Sequence, residues 1–313
     1  RQRQMCIRDS LKDVLGDMTL TNLLIEELDL SQINFNGNTL TLQCKQLNKI
    51  VGSETFNGSL FLLPKDCRLT EFTLEGISNI QGDFQCIDYF YVKEFVMPFI
   101  RVAGDMTIAL NSGSVNTAAE IEFPKLQEIG GTLTLGTNKN ANNITFPLLK
   151  KILGSCSVTT YKLKNDIEFT NLESIGTDGA DAQIKFEIEA TNILCPKLKT
   201  INGKFDIATS SFMFDMEVDK VSYPNVESIS ENLSITCPYS DFGPNGILSI
   251  DFSGLKSAKG ISISGQGDVT DFSSFKYLFE NNVLTGESQW SVKECGYNPT
   301  FQEMKDGKYK LAE

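Results

Sequence analysis

The feature that most constrains this chain is a repeat in which apolar residues recur in a fixed order. One copy reads IEFPKLQEIGGTLTL at residues 121–135, and FPLLKKILGSCSV begins the next copy at Phe146. We index each copy by its anchor, the apolar residue that closes its first strand. Successive anchors lie 23 to 29 residues apart, which is typical of solenoid repeats. The eight anchors are Leu74, Met97, Phe123, Phe146, Phe169, Cys195, Tyr223 and Phe252.

Further apolar residues lie at fixed offsets from each anchor. In the copy around Phe123 they are Ile121, Leu126 and Ile129, at minus two, plus three and plus six. In the copy around Met97 the plus-three and plus-six residues are Ile100 and Ala103. A corner follows, usually with glycine: Gly82, Gly104, Gly131, Gly154, Gly203 and Gly260. After the corner, apolar and polar residues alternate, which indicates a strand with one buried face.

Stacked copies would place like residues in ladders along one continuous core, because every copy presents the same positions inward. The plus-three and plus-six spacing also fits a helix face. That segment has only about seven residues, however, and it is often entered by proline and bounded by glycine. The sequence therefore favours coils built of strand, corner and strand.

The pattern F-P-x-L-x-x-I-x-G-x-L-x-I, over about residues 12–265, resembles the coil of receptor L domains, the parallel β-helix modules of insulin- and growth-factor-receptor ectodomains. It is also similar to L-domain-like proteins of yeast cell walls and to leucine-rich-repeat-like surface proteins of Bacteroidetes. The resemblance implies an all-β solenoid, a single-chain parallel β-helix of receptor L-domain type. Ligand residues vary within this family, so the resemblance assigns none here.

Three segments are expected along the chain. Residues 1–10, RQRQMCIRDS, share no pattern with the rest and resemble translated adaptor sequence of metagenomic origin, so we expect a non-native leader. Residues 11–265 carry the coils, beginning in mid-coil, and we expect them to be part of a longer protein whose signal and anchor are missing. Residues 266–313 are predicted to form a small α/β C-terminal cap, with a helix around Phe275, Ser273 as its N-cap and a strand at Trp290. The tail from Trp290 also resembles the C-terminal end of Bacteroidetes surface proteins.

Composition excludes several classes of function. A net charge of −12 and a sequence pI near 4.7 disfavour binding to nucleic acid. The sequence contains no run of 18 apolar residues, so no membrane insertion is expected in this segment. It contains no histidine, no CxxC pair and no phosphate-binding glycine motif, so we expect no metal, no cofactor and no imidazole-based catalysis.

The eight cysteines are interpreted mainly as core residues. Cys86, Cys156 and Cys195 occupy inward positions of the pattern, and Cys44 is expected to do the same. Cys237 and Cys295 have no place in the pattern, and a disulfide between them is a hypothesis.

Candidate contact residues lie in segments that interrupt the repeat. The longest central loop, residues 209–219, carries apolar residues that either pack on the solenoid or form an exposed contact patch. A second aromatic cluster precedes Phe95 and could pack or stack on sugar rings. The candidates for a binding loop are Phe212, Met213, Phe214, Met216, Tyr89 and Tyr91.

Function is expected to be non-catalytic. We predict an interaction scaffold, anchored at the outer membrane of a bacterial cell surface or secreted, that binds a protein or glycan through loops and an exposed sheet face. One alternative is a carbohydrate-active β-helix enzyme with paired carboxylates. Its candidates are Asp215, Glu217 and Asp219 in the central loop and Asp17 with Asp105 at corners. A second alternative is a cell-wall structural protein. N-glycosylation of the sequons at Asn57, Asn143 and Asn232 would favour it.

Overall fold

In a computed structural model of the chain, the residues described are 11–21, 24–63, 72–87, 94–110, 119–137, 141–159, 166–177, 182–188, 192–209, 220–237 and 247–312. They form an all-β parallel solenoid with a small α/β cap at the C-terminal end. The chain divides into two compact units, residues 1–149 and residues 150–313.

A typical coil has three strands rather than the two that the sequence predicts. The first strand ends at or just before the anchor, a two-residue second strand contains the plus-six position, and a longer third strand follows the corner. In the coil around Phe123 these are Ala119–Glu122, Glu128–Ile129 and Leu133–Thr137. The strand pairings described between successive coils are parallel, with the inward positions in register. One irregularity shifts the register between Ala119 and Glu120.

In the unit of residues 1–149, the strands of successive coils stack to form three sides. Third strands form one sheet in the order Met18–Thr21, Thr39–Gln43, Ser59–Leu62, Phe84–Ile87, Met106–Leu110 and Leu133–Thr137. Second strands pair in the order Thr55–Phe56, Asn79–Ile80, Arg101–Val102 and Glu128–Ile129. First strands form two groups, the first being Glu27–Asp29, Lys49–Val51 and Thr73–Glu75 and the second Glu94–Val96, Ala119–Glu122 and Ala141–Thr145.

The unit of residues 150–313 repeats the arrangement. Its third strands are Cys156–Thr159, Ala182–Ile188, Gly203–Thr209, Asn232–Thr236, Gly260–Ser264 and Trp290–Lys293. Its second strands are Lys151–Ile152, Ser174–Ile175, Thr200–Ile201 and Ser228–Ile229. Its first strands pair Ile167–Glu168 with Ile193–Leu194 and Lys220–Ser222 with Ser249–Asp251.

The C-terminal cap confirms the predicted mixture of helix and strand. A 3₁₀ turn, Ser273–Phe275, leads into helix α1, Lys276–Glu280. A second 3₁₀ turn, Glu287–Gln289, precedes the strand Trp290–Lys293, and helix α2, Phe301–Lys305, follows. The predicted N-cap role of Ser273 is wrong. The residue lies inside the 3₁₀ turn, and its backbone N–H donates to Asp271 Oδ1 at 2.7 Å.

The predicted core register is confirmed in seven of the eight indexed copies. All the anchors are buried, and so are the minus-two residues. Leu126 and Ile129 are fully buried, as are Leu133 and Leu135 after the corner. No helix occurs in the described residues between 11 and 265, so the helical alternative is wrong for that part of the chain.

The copy around Met97 departs from the predicted register. Ile100 is 36% exposed and Ala103 is half-buried, whereas Phe99 and Val102 are fully buried. Val102 pairs with Ile80 on one side and with Ile129 on the other. The turn after Met97 is therefore one residue shorter than in the other copies, and the inward positions move back by one.

The four cysteines assigned to the core lie where the pattern predicts, and the disulfide hypothesis is wrong. Cys44, Cys86, Cys156 and Cys195 are buried in the core. The structure forms no disulfide between Cys237 and Cys295. The backbone N–H of Cys237 donates to the carbonyl of Ser264 in the next coil. Gly265, which follows Ser264, donates its N–H to the carbonyl of Lys293 one coil further on, so a whole coil separates the two cysteines. Two coil steps span about 9.6 Å, beyond the Cα separation that a disulfide bridges.

Candidate binding face

The binding-loop residues predicted from the sequence lie outside the described part of the chain. This holds for Phe212, Met213, Phe214, Met216, Tyr89 and Tyr91, and also for the acidic candidates Asp215, Glu217 and Asp219. Their roles stay predictions. Among the described residues, the candidate site lies on strands and corners.

An uncharged ladder of side chains runs along the outer face of the third-strand sheet in residues 1–149. Each member takes the same outward position in its strand and pairs with the like position of the next coil. We call this set the neutral ladder; its members are Thr19, Thr41, Phe61, Gln85, Thr107 and Thr134. All six are exposed or half-buried. The spacing between neighbouring rungs is that of hydrogen-bonded strands, about 4.8 Å.

The strand sequences explain why these side chains point outward. Each rung except Thr19, whose neighbours Met18 and Leu20 are half-buried, lies between two buried residues of the same strand, as Thr107 lies between Met106 and Ile108. Because side chains alternate across a strand, packing of the apolar neighbours forces the middle residue toward solvent. In five of the six strands the next outward position, two residues further along, is also uncharged: Thr21, Gln43, Ile87, Ala109 and Gly136.

Apart from acids at the corners, charged residues of the same unit occupy the other two sides. The first strands carry Glu27, Lys49 and Glu75 in successive coils, and Lys49 Nζ lies 3.2 Å from Glu75 and 4.0 Å from Glu27. The second strands carry Arg101 and Glu128, joined at 2.9 Å. Since 22% of the sequence is charged, the two uncharged rows distinguish the third-strand face from the other two sides.

The corresponding position in residues 150–313 is not neutral. It carries Lys185 and Asp206, and Asp206 forms an ion pair of 2.9 Å with Lys204. Hydroxyl residues follow in the last coils, including Ser234 and Ser262. The neutral ladder is thus a property of the first unit's sheet and not of the coil pattern as such.

Acidic residues border the neutral ladder at the corners, where their carboxylates have structural partners. Asp83 Oδ1 accepts the backbone N–H of Asp105 at 2.8 Å. Asp105 Oδ1 accepts the N–H of Thr132 at 2.6 Å, and Asp17 Oδ1 accepts that of Thr39 at 2.8 Å. These acids form a rim on one edge of the face.

The proposed catalytic pairing of Asp17 with Asp105 is wrong. In the third-strand sheet, four coil steps separate Met18 from Met106, the residues that follow the two acids. Four steps span about 19 Å. Pairs of carboxyl groups that hydrolyse glycosidic bonds lie about 5 to 10 Å apart. Asp17 and Asp105 therefore cannot act on one bond.

Other chemical groups of the described residues are buried or scattered. Burial raises the pKa of the Cys156 thiol to about 12, and it raises the pKa values of Cys86 and Cys195 as well. A reactive thiolate is therefore disfavoured at these three positions. Within the described ranges, no group of three or more Asp, Glu, Cys or His side chains is arranged to hold a metal ion. No helix in that part of the chain has the length and apolar character needed to cross a membrane.

Sequence reasoning missed the neutral ladder because it followed the inward residues. The signal lies in the complementary set, the residue between each pair of inward positions after a corner, as in M-T-I at 106–108 and L-T-L at 133–135. Scanning those intermediate residues for charge would have found it.

Comparison of the chain with protein-family models, with curated proteins and with solved structures gave no match.

Proposed function

We propose that this protein is a non-catalytic interaction scaffold of the receptor L-domain-like kind, displayed at a cell surface or secreted. It binds an extracellular protein or glycan, and the neutral ladder is its main contact face among the described residues. The solenoid serves as a rigid support that holds the contact residues at a fixed spacing.

The observation that carries the proposal is the lack of charge on one face of an acidic protein. Charged side chains keep a surface solvated, and they are depleted where a partner is to remove water. The two uncharged rows, the first of which contains Phe61, give a face from which water is displaced at lower cost than from the charged faces.

Two further observations favour binding over catalysis. The corner acids Asp17, Asp83 and Asp105 use carboxylate oxygens to accept backbone N–H groups. The sequence offers no histidine to serve as a general base.

A binding screen with a turnover measurement tests the proposal. The full chain is applied to arrays of glycans and of extracellular matrix proteins, and every hit is incubated with the protein and analysed for released products. Saturable binding without product is expected. Product release from a bound polysaccharide would replace the scaffold with an enzyme, and the absence of any saturable binding would contradict the proposal.

A further inference from the structure

We propose that the neutral ladder binds an uncharged polysaccharide, laid along the stacking direction so that it crosses successive coils. This inference rests on the proposed function and narrows its ligand to one chemical class. It is carried by three properties of the ladder, namely its hydrogen-bonding groups, its single aromatic ring and its distribution of charge.

The polar rungs match the chemistry of sugar hydroxyl groups. Thr41, Thr107 and Thr134 each provide a hydroxyl that both donates and accepts, and Gln85 adds an amide with separate donor and acceptor atoms. Sugar hydroxyl groups are likewise both donors and acceptors. Rungs repeating about every 4.8 Å offer a polymer one uncharged contact, polar or aromatic, at each coil step.

Phe61 supplies an apolar contact in the middle of the row. It is half-buried and pairs with Thr41 on one side and Gln85 on the other. The C–H groups on one face of a pyranose ring are apolar and pack against an aromatic ring, whose edge and face contacts are favourable. An aromatic ring flanked by a hydroxyl and an amide thus matches a sugar, which has an apolar face and a polar edge.

The charge distribution selects among polysaccharides. Asp17, Asp83 and Asp105 form the rim beside the ladder, and the whole chain carries a net charge of −12. Their field repels a polyanion. The same field attracts a cationic polymer toward the rim, but the ladder itself contains no carboxylate with which such a polymer could form an ion pair. A protein partner is less well matched, because protein interfaces depend on clusters of aromatic and Arg anchors, and the ladder holds one aromatic residue.

Two variants and one matched control test the inference. Phe61→Ala removes the ring, and Thr107→Glu places a charge within the ladder, two rungs from Phe61. Ser262→Glu makes a similar change at an exposed outward position of a third strand in residues 150–313. Circular dichroism and thermal unfolding verify that each variant is folded.

Binding is measured by native affinity electrophoresis and titration calorimetry against soluble neutral polysaccharides (a glucan and a mannan) and acidic ones (alginate and polygalacturonate). We expect binding to a neutral polymer that is about tenfold weaker in Phe61→Ala and in Thr107→Glu, and unchanged in Ser262→Glu.

Other outcomes separate this inference from the proposed function. If a matrix protein binds and Thr107→Glu weakens its binding, the inference of a polysaccharide ligand would be overturned, whereas the proposed scaffold function would stand. Preference for an acidic polymer, or neutral-glycan binding unaffected by both ladder variants, would overturn the inference as well. Failure to bind any glycan or protein would overturn both proposals.

Discussion

Thr132 donates its backbone N–H to Asp105 Oδ1 over 2.6 Å, although the two residues belong to successive coils. The preceding coil repeats the contact, since the N–H of Asp105 donates to Asp83 Oδ1 at 2.8 Å. Each carboxylate satisfies a backbone donor at a corner of the next coil. It also occupies the space beside the next coil's corner glycine, where a Cβ would otherwise lie. Corner glycine and corner acid are therefore linked across coils.

Gly131→Ala should destabilise the protein because of this link. An alanine Cβ would meet the Asp105 carboxylate and would lie 2.7 Å from the carbonyl carbon of Gly104, which is backbone and cannot rotate away. We expect a loss of about 1–3 kcal/mol in the free energy of unfolding, measured by urea denaturation with circular dichroism.

Gly136→Ala is the matched control in the same coil. A Cβ at Gly136 meets nothing within 4 Å. This variant should be neutral or slightly stabilising, because alanine restricts the unfolded chain. Equal destabilisation by both changes would show that the corner contact is not the cause.

The inward register is tested by a pair of aspartates three residues apart. Ile129→Asp buries a charge in a fully buried rung that packs between successive coils and should unfold the protein. Thr132→Asp should be nearly neutral, because Asp83 and Asp105 occupy the same corner position in the two preceding coils. Thermal unfolding compares the two, and similar melting temperatures would contradict the register.

The shortened turn after Met97 allows a test between the observed inward register and the register predicted from the sequence. Phe99→Ala should cost about 3–5 kcal/mol, because Phe99 is fully buried and stacks edge-on against Phe84 with ring centroids 4.8 Å apart. Ile100→Ala should change stability by no more than about 0.5 kcal/mol, since Ile100 is 36% exposed. Urea unfolding measures both, and the reverse order would restore the register predicted from the sequence.

That disagreement shows which parts of the fold were predictable. Anchors such as Phe123 and Tyr223 were found because stacking demands an apolar residue at the same point in every coil. In the copy around Met97 both Phe99 and Ile100 are apolar, so the pattern alone could not decide which faces inward. The pairing of Val102 with Ile80 and Ile129 decides it, and such pairing is a contact between coils.

The candidate face was less predictable for a related reason. The outward rungs have no common residue type, since Thr41, Phe61 and Gln85 share only the absence of charge. Their grouping into one row depends on parallel register, which the inward residues fix. The role of Asp105 was similarly hidden, although the recurrence of Gly-Asp at residues 16–17, 82–83 and 104–105 was a usable signal.

The packing of the cap can be measured by the fluorescence emission of Trp290, the only tryptophan in the sequence. Its Nε1 donates to the Pro299 carbonyl at 2.9 Å, and its ring meets Phe279 edge-on at 5.1 Å. Phe279→Ala should shift the tryptophan emission to longer wavelength and lower the melting temperature, because solvent reaches the indole. Tyr277→Ala, at a residue 42% exposed, is the control and should leave the emission unchanged. An unchanged spectrum for Phe279→Ala would contradict this packing.

An ion pair on the turns of the second unit should give a small, pH-dependent contribution to stability. Lys256 Nζ donates to Glu227 at 2.8 Å, and this hydrogen bond, with the charges of Lys256 and Lys199, holds the pKa of Glu227 below its ordinary value of 4.5. A carboxylate whose folded pKa is lowered stabilises the fold above its unfolded pKa, and it loses this effect as pH falls through the folded pKa. Lys256→Met should therefore be less stable than the parent at pH 7.

The difference between parent and Lys256→Met should shrink toward zero as the pH falls from 7 through the lowered folded pKa of Glu227, because the carboxylate then becomes protonated. The urea midpoint, followed over a pH series that begins at pH 7, measures it. Lys125→Met, which alters an exposed lysine in a turn of the first unit, controls for the loss of one positive charge and should show no comparable change with pH. Because Glu227 is at the surface, salt should weaken the effect at pH 7. A difference that persists unchanged at low pH would mean that Lys256 acts through packing of its aliphatic chain and not through the carboxylate.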